Sequence, residues 1–261
     1  MAGALRCAPG QVSAFAAAQL VRVPFRQIVV YCVYGHHVSA NAVAELRAAG
    51  LNAVKLDGGF EGGEDGVDAA ADIALWRMET PPKILKRADW GVTGEQPSRW
   101  VIGAGPKIDR IACPWLIHRF IDPQAVFHYR PTDQVLDAAR SLNAVAFDTP
   151  GAPVSHRGEL CSFDALLAAF DLRDAALEQL ARIVRGADTH TLGLAPESAG
   201  LLALSLGLSQ LHSDDHAMLA AAMPLYDALY ACCQSRVRAA RQGTPPETHN
   251  WQPDASQAAQ P

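Results

Sequence analysis

The start of the chain alternates between strand-like and helix-like patterns of apolar positions. Residues 27–31 form a short β-branched and aromatic run, which is typical of a strand buried on both faces. After a glycine-containing loop, Ser39 is placed to cap a helix that ends at Gly50, and residues 52–56 predict a second strand. The pattern therefore predicts a βαβ unit whose loop lies at the carboxyl end of its first strand.

Changes in this pattern divide the rest of the chain. Residues 1–62 contain the βαβ unit, and residues 63–99, which are rich in glycine and proline, predict a linker with one helix at residues 67–77. Residues 100–241 predict a second domain, and residues 242–261 have the composition of a disordered tail. We therefore expect an α/β domain followed by a mainly α (α+β) domain.

The predicted second domain begins with strands that alternate with helices and continues as helices alone. Strand-like runs occur at residues 100–104, 125–129 and 144–148. Pro114 is expected to interrupt the first helix early, because proline cannot donate a backbone hydrogen bond. Later features of the helical pattern are a cap at Ser162, a glycine stop at Gly186 and a long last helix over residues 213–241.

Composition argues against nucleic-acid-binding and membrane-spanning proteins. The formal net charge of the 261 residues is −5, so the chain lacks the broad positive field that nonspecific binding of nucleic acid needs. No apolar run reaches the roughly 20 residues that span a bilayer, and the alanine-rich stretch at residues 12–21 predicts an ordinary helix. The six cysteines include no Cys-x-x-Cys pair and are expected to be reduced. We expect a cytoplasmic protein without nucleic-acid or membrane partners and without a nucleotide cofactor.

The loop from Cys32 to Ser39 has the chemistry of a reactive thiol. Its amide groups and the start of the following helix can converge on the sulfur of Cys32, and such donors stabilise a thiolate or persulfide anion. Gly35 allows the tight curvature, and His36 and His37 complete the loop. The alternative interpretation is that Cys32 is a buried structural thiol.

Residues 1–62 resemble the rhodanese family in their strand, cysteine loop, capped helix and the turn formed by residues 57–59. The resemblance implies that Cys32 forms a persulfide and that the partner is a small-molecule sulfur donor. Where the family's loop carries an arginine, this sequence has His36 and His37. The rhodanese family has a strand and a helix ahead of the part that residues 3–6 resemble, and this sequence shows no counterpart of them. We therefore expect another segment, or a second copy of the chain in a homo-oligomer, to complete the sheet.

Residues 100–233 resemble the C-terminal domain of ChrB-type chromate-resistance proteins. The resemblance implies a setting in chromate response and leaves the reaction undefined. It rests on five segments that match in order, at residues 106–117, 147–148, 156–164, 182–189 and 214–218.

Two sets of polar residues in the second domain suggest ligand sites. His156, Asp188, Asp215 and His216 offer the imidazole and carboxylate donors that suit a divalent Zn, Fe or Mn ion. The alternatives are a hydrogen-bonding role for His156 and a helix N-terminus at residues 213–216. Cations that could together bind an oxyanion such as chromate or sulfate, or else form a solvated surface stripe, are Lys107, Arg110, Arg157, Arg182 and Arg185.

These observations leave three hypotheses open. The first is a rhodanese-like sulfur carrier or sulfurtransferase, acting through Cys32 and fused to a chromate-resistance domain, that serves in chromate, oxyanion or thiol stress. The second is a regulatory protein without catalysis that responds to chromate or metal, with a degenerate rhodanese module. The third is a metal-dependent enzyme in the C-terminal domain.

Overall fold

The computed structural model describes residues 1, 4–22, 26–79 and 82–247. Within this part the chain forms two compact units, and most of the segment expected to be a linker, residues 63–99, lies in the first of them. The first unit consists of Met1–Trp100, Ile117–Val126 and Phe170–Leu172, and the second of Val101–Leu116, Phe127–Ala169 and the described chain from Arg173 onward.

The first unit contains the predicted βαβ arrangement. Helix α1 (Val12–Arg22) precedes strand β1 (Ile28–Val30), helix α2 (His37–Ala48) and strand β2 (Ala53–Lys55). The two strands are parallel, which confirms the βαβ prediction. Both helices and β2 contribute to one hydrophobic core, formed by Val12, Ala16, Val43, Leu46, Leu51 and Ala53.

Two details of this unit differ from the prediction. Strand β1 is not buried on both faces: Ile28 and Val30 pack against the core, whereas 51% of the surface of Val29 is exposed. A strand with one covered face keeps this alternation. Ser39 is not the N-cap of α2, because the helix begins earlier, at His37. The buried Ser39 hydroxyl instead lies 3.1 Å from the carbonyl oxygen of His36.

The later part of the first unit is held together by aromatic rings and one buried carboxylate. Helix α3 (Ala70–Glu79) overlaps and so confirms the helix predicted at residues 67–77. The Trp90 ring lies edge-on to Trp100, with ring centroids 6.2 Å apart. The carboxylate of Asp122 accepts hydrogen bonds from the amide and the hydroxyl of Ser98, each at 2.6 Å. The Ser98 hydroxyl in turn accepts one from the Trp100 indole at 2.8 Å.

The remaining elements confirm the predicted order, in which helices separate the three strands and only helices follow the last strand. Strands β3 (Arg99–Gly103), β4 (Val126–Arg130) and β5 (Val145–Ala146) form a sheet in the order β4-β3-β5. Helix α7 packs against both α8 and α9. The helices are α4 (Asp109–Leu116), α5 (Val135–Leu142), α6 (Ser162–Ala169), α7 (Ala175–Asp188), α8 (Ser198–Leu211) and α9 (Asp215–Gln242).

Three local predictions for these helices are wrong. Pro114 lies within α4 and does not interrupt it, and the chain continues as a π-helix, Ile117–Ile121. The helix tolerates the proline because its missing amide leaves only one carbonyl without a hydrogen-bond donor. Ser162 does not cap α6 with its hydroxyl, which donates to Asp148 at 2.9 Å. Gly186 does not end α7; a Cβ atom there would collide with Ser198 of α8, so this glycine permits close helix packing.

The last helix of the described chain, α9, is long, as the pattern predicted. Asp214 caps α9, its carboxylate accepting a hydrogen bond from the amide of Ala217 at 2.7 Å. Most of the predicted disordered tail, residues 248–261, lies outside the described residues. No helix in the described ranges has the length and apolar character needed to cross a membrane.

Candidate functional site

The loop that carries Cys32 joins β1 to α2. We call residues 32–39 the Cys32 loop. Hydrogen bonds from the backbone at Gly35, His36 and Ser39 reach the sulfur of Cys32. The Ser39 hydroxyl lies 3.4 Å from that sulfur, and it can donate to it when the thiol is ionised. The loop therefore surrounds the sulfur with donors.

These donors change the acidity of the thiol. Burial by itself raises the pKa of Cys32, but the hydrogen bonds from the Ser39 hydroxyl and from the amides of Ser39, Gly35 and His36 outweigh it and lower the pKa to about 7. A cysteine with such a pKa is about half ionised at neutral pH, and the thiolate is the nucleophilic form. Cys32 is partly exposed, so a small reagent can reach it.

A turn after β2 fixes the shape of the Cys32 loop. The amide of Phe60 donates to the carbonyl of Cys32 at 2.9 Å, and the amide of Glu61 donates to that of Val33 at 2.9 Å. Gly59 has φ +61°, and a Cβ atom there would collide with the amide nitrogen of Gly35 and the carbonyl oxygen of Cys32. Sequence reasoning noted the glycine pair after β2 but did not predict this contact.

The two loop histidines have different surroundings. The Nε2 atom of His36 lies 3.4 Å from a carboxylate oxygen of Asp68, and its Nδ1 atom lies 3.7 Å from one of Glu64. His37 is in the first turn of α2 and lines a cavity of about 660 Å³ in the first unit. The Cys32 loop thus places an imidazole next to acids, where the rhodanese pattern has an arginine.

We expect the alkylation rate of Cys32 to rise with pH. The rate should reach half of its maximum near the pKa of Cys32, about 7. Below this pH the thiol is protonated and unreactive, and above it the thiolate dominates. Ser39→Ala should raise the midpoint and slow alkylation several-fold at about pH 7, because a hydrogen bond to the charged form is lost. Iodoacetamide labelling followed by mass spectrometry measures the rate at each cysteine. Ser209→Ala, on the exposed surface of α8, is the control and should leave the Cys32 rate unchanged.

A second group of reactive side chains lies in the second unit, around the imidazole of His156. Its Nε2 atom lies 3.3 Å from Asp109 Oδ2, 3.4 Å from Asp148 Oδ1 and 3.1 Å from Asp188 Oδ2. We call these four residues the Asp–His pocket. Asp109 begins α4 and Asp188 ends α7. Asp148 follows β5 with φ +51°, a left-handed conformation that aspartate adopts more readily than most residues.

Donors outside the pocket orient its carboxylates. The Ser162 amide donates to Asp109 Oδ2 at 3.1 Å, and the Ser162 hydroxyl donates to Asp148 Oδ1 at 2.9 Å. The Arg110 guanidinium donates to Asp148 Oδ2 at 2.5 Å. A cavity of about 460 Å³ opens on the pocket, and its wall also includes Gly105, Lys107 and Arg110.

The close approach of these charges shifts their pKa values. The hydrogen bond with Asp109 raises the pKa of His156 to about 9, with burial acting in the opposite direction. Burial and the neighbouring Asp109 raise the pKa of Asp188 to about 7, and the same two causes raise the pKa of Asp148. At neutral pH a protonated His156 therefore faces three carboxylates, of which Asp148 and Asp188 are harder to ionise than an exposed aspartate.

The structure brings together part of the predicted metal set and separates the rest. His156 and Asp188 meet in the pocket, where Asp109 and Asp148 join them. Asp215 accepts a hydrogen bond from the Gly105 amide at 3.1 Å, and the ring of His216 lies edge-on to Tyr129. Sequence reasoning did not consider Asp109 and Asp148 as ligands, although both lie in segments that carried the ChrB-type resemblance.

The five cations proposed for an oxyanion site have different partners. Lys107 and Arg110 line the cavity of the Asp–His pocket. Arg185 pairs with Asp164, with a nitrogen–oxygen distance of 3.2 Å. Arg182 and Arg157 donate to the backbone carbonyls of Leu194 and Pro153. Only the first two are thus placed by these contacts at a shared cavity.

Comparison with known proteins assigns the second half of the chain. Residues 100–233 match the domain family described as ChrB, C-terminal domain, over about half of the chain. The chain belongs to this family. It is 34% identical to Protein ChrB of Cupriavidus metallidurans over 152 aligned residues. The aligned region covers 54% of this chain and 45% of that relative. The chain thus spans less than half the length of the ChrB relative. No solved structure matches it.

The residues matched by the family include one candidate site and leave out the other. All four residues of the Asp–His pocket lie within the ChrB C-terminal domain. Cys32 lies outside the matched residues. The ChrB-type resemblance is therefore confirmed, and the function of the Cys32 loop is argued from its own geometry.

Proposed function

We propose that this ChrB-like protein carries sulfane sulfur on Cys32 and acts in chromate, oxyanion or thiol stress. The observation that carries the proposal is the set of hydrogen bonds to the Cys32 sulfur from the Ser39 hydroxyl and three backbone amides. These donors stabilise an anion on sulfur without a side-chain cation. The chromate setting is supported by the ChrB C-terminal domain on the same chain.

The transfer is a thiol–disulfide type of exchange. The Cys32 thiolate attacks the outer sulfur of a small persulfide, R–S–SH, and a bond forms between the Cys32 sulfur and that sulfur as the donor's S–S bond breaks. The donor thiolate R–S⁻ leaves and takes up a proton, so the sulfur is transferred without net oxidation. A second thiolate then attacks the outer sulfur of the Cys32 persulfide and releases Cys32.

The residues around the loop favour an organic persulfide over thiosulfate as the donor. Thiosulfate is a dianion, and a permanently charged guanidinium suits such a group. Here the loop carries His36, whose ring lies beside the carboxylates of Glu64 and Asp68. Two carboxylates at this point disfavour a dianion, whereas a thiol persulfide needs only access to the sulfur of Cys32.

Mass spectrometry of the intact and digested protein tests the proposal. After exposure to a low-molecular-weight thiol persulfide, the peptide of Cys32 should gain about 32 Da, the mass of one sulfur atom. Cys32→Ser should remove this gain, and Cys232→Ser, which changes an exposed cysteine on α9, should keep it. Thiosulfate at the same concentration should label Cys32 much less. A folded protein that never gains sulfur on Cys32, or that gains it equally on Cys232, would falsify the proposal.

A second candidate function is a chromate- or metal-responsive regulator in which the Cys32 loop plays no catalytic part. The observation in its favour is that the family match covers the Asp–His pocket and excludes Cys32. Chromate binding of equal affinity in wild type and Cys32→Ser, together with no sulfur on Cys32, would support the regulator and contradict the sulfur carrier. Equilibrium dialysis with chromate measures this affinity.

A further inference from the structure

We propose that the Asp–His pocket binds one divalent transition-metal ion, of the Mn²⁺, Fe²⁺ or Zn²⁺ class, through Asp109, Asp148, His156 and Asp188. The proposed site differs from the ligand set predicted from the sequence in two of its members. It does not depend on the sulfur chemistry of Cys32, which belongs to the other unit.

The first argument is the geometry around one nitrogen atom. Oxygens of three different carboxylates lie 3.1 to 3.4 Å from His156 Nε2. A ring N–H points at one acceptor, so a single hydrogen bond does not account for three carboxylates gathered at this point. Donor atoms of Asp109, Asp148 and His156 all lie within 4.8 Å of one another. Ligands bound to a common ion at roughly 2.1 Å are separated by distances in this range.

The second argument is burial. The side chain of Asp109 is only 2% exposed, and those of Asp148 and Asp188 are 11% and 15% exposed. Carboxylates on an open surface gather without a ligand, but buried ones lose hydration and repel each other strongly. Arg110 pairs with one of the three. The imidazole of His156 lies beside all three, and a divalent cation bound to its nitrogen would offset their negative charge from the same point.

The third argument is the donor set and its support. An imidazole among carboxylates is a mixed N/O set that suits Mn, Fe or Zn, whereas Ca²⁺ and Mg²⁺ favour oxygen alone. The Ser162 amide and hydroxyl and the Arg110 guanidinium hold Asp109 and Asp148 in place from outside. Such outer hydrogen bonds are typical of metal-binding carboxylates.

The pocket is also open on one side. His156 is 41% exposed, and the cavity of about 460 Å³ reaches the ligands past Gly105 and Lys107. Four protein ligands complete the coordination of a tetrahedral zinc ion, whereas an octahedral ion such as Mn²⁺ also keeps positions for water or substrate. A bound Mn²⁺ would therefore carry exchangeable water on the cavity side.

Metal titration of the full chain tests this inference. Protein treated with a chelator and then desalted should bind about one equivalent of Mn²⁺ or Zn²⁺ in calorimetry, with the amount confirmed by elemental analysis. His156→Gln and Asp109→Asn should each weaken binding by at least about tenfold, because each removes a ligand. With Co²⁺ as a spectroscopic probe, His156→Gln should also change the visible absorption spectrum, since a nitrogen ligand is lost.

Matched controls separate this ligand set from its alternatives. His216→Gln removes a histidine that contacts Tyr129, and Asp137→Asn removes an exposed carboxylate paired with Arg140; both should bind metal as wild type does. Because Asp109 is buried, circular dichroism checks the folding of Asp109→Asn, and His156→Gln keeps the test decisive if that variant unfolds. Absence of stoichiometric binding, or equal affinity in wild type and His156→Gln, would overturn the inference. So would loss of binding in His216→Gln.

The two proposals can fail independently. Cys32→Ser should bind metal like wild type, and His156→Gln should still accept sulfur on Cys32. Metal binding that disappears in Cys32→Ser would contradict the assignment of the ion to the Asp–His pocket.

Discussion

Gly59→Ala should reduce the reactivity of Cys32 at neutral pH by at least about tenfold. A Cβ atom at position 59 would collide with backbone atoms of Gly35 and Cys32 and would lie 2.7 Å from the carbonyl carbon of Tyr34. These are backbone atoms, so no side-chain rotation relieves the collision, and the Cys32 loop must move away from the turn. The amide hydrogen bonds that stabilise the thiolate are then lost or lengthened.

Gly50→Ala provides the matched control for this substitution. Gly50 has φ +85°, so alanine there also carries the backbone cost of a left-handed conformation, about 1 kcal/mol, but apart from its chain neighbours no atom lies within 4 Å of the new Cβ. Both variants should therefore lose some stability, and only Gly59→Ala should lose reactivity. Alkylation rates of Cys32 measured by mass spectrometry give the comparison. Equal rates in the two variants would show that the turn does not hold the loop.

Asp122→Ala should lower the free energy of unfolding by about 3 kcal/mol. The carboxylate is 4% exposed and accepts the amide and hydroxyl hydrogen bonds of Ser98 as well as the amide of Gln124 at 2.9 Å. Alanine leaves these donors buried without an acceptor. It also frees the Ser98 hydroxyl that accepts the Trp100 indole hydrogen bond, so the aromatic cluster loosens with it.

Urea denaturation followed by tryptophan fluorescence measures this loss. Asp137→Ala is the control, because Asp137 is an exposed residue that pairs with Arg140 on the same helix. A surface ion pair contributes at most about 1 kcal/mol, so the control should unfold close to wild type. If Asp122→Ala and Asp137→Ala unfold at the same urea concentration, the buried hydrogen bonds of Asp122 contribute little to stability.

Much of the fold follows from local sequence patterns. The βαβ unit is confirmed because apolar spacing and the glycine stop at Gly50 act within a few residues of each other. Errors arise where a partner far along the chain determines a residue's role. Ser162 has the residue type of a helix cap, but Asp148 takes its hydroxyl hydrogen bond, and Gly186 has the type of a helix stop, but α8 packs against it.

The candidate sites show the same division. The amino-acid sequence alone indicated which groups donate to the Cys32 sulfur, because these groups lie within residues 32–39. The contact with the turn at Gly59, which fixes the shape of the loop, appeared only in the tertiary structure. The sequence also determined the membership of the ChrB C-terminal domain family, because several segments match in order. Backbone geometry over a short stretch is local, and local patterns encode it.

Only the tertiary structure decided which side chains surround His156. Asp109 starts α4, Asp148 follows β5 and Asp188 ends α7, so these carboxylates meet only when helix ends and the sheet pack together. Residue type favoured His216 equally well, yet that side chain packs against Tyr129. Spacing along a chain records which residues share a turn of helix, whereas convergence of separate elements depends on how their apolar faces are buried.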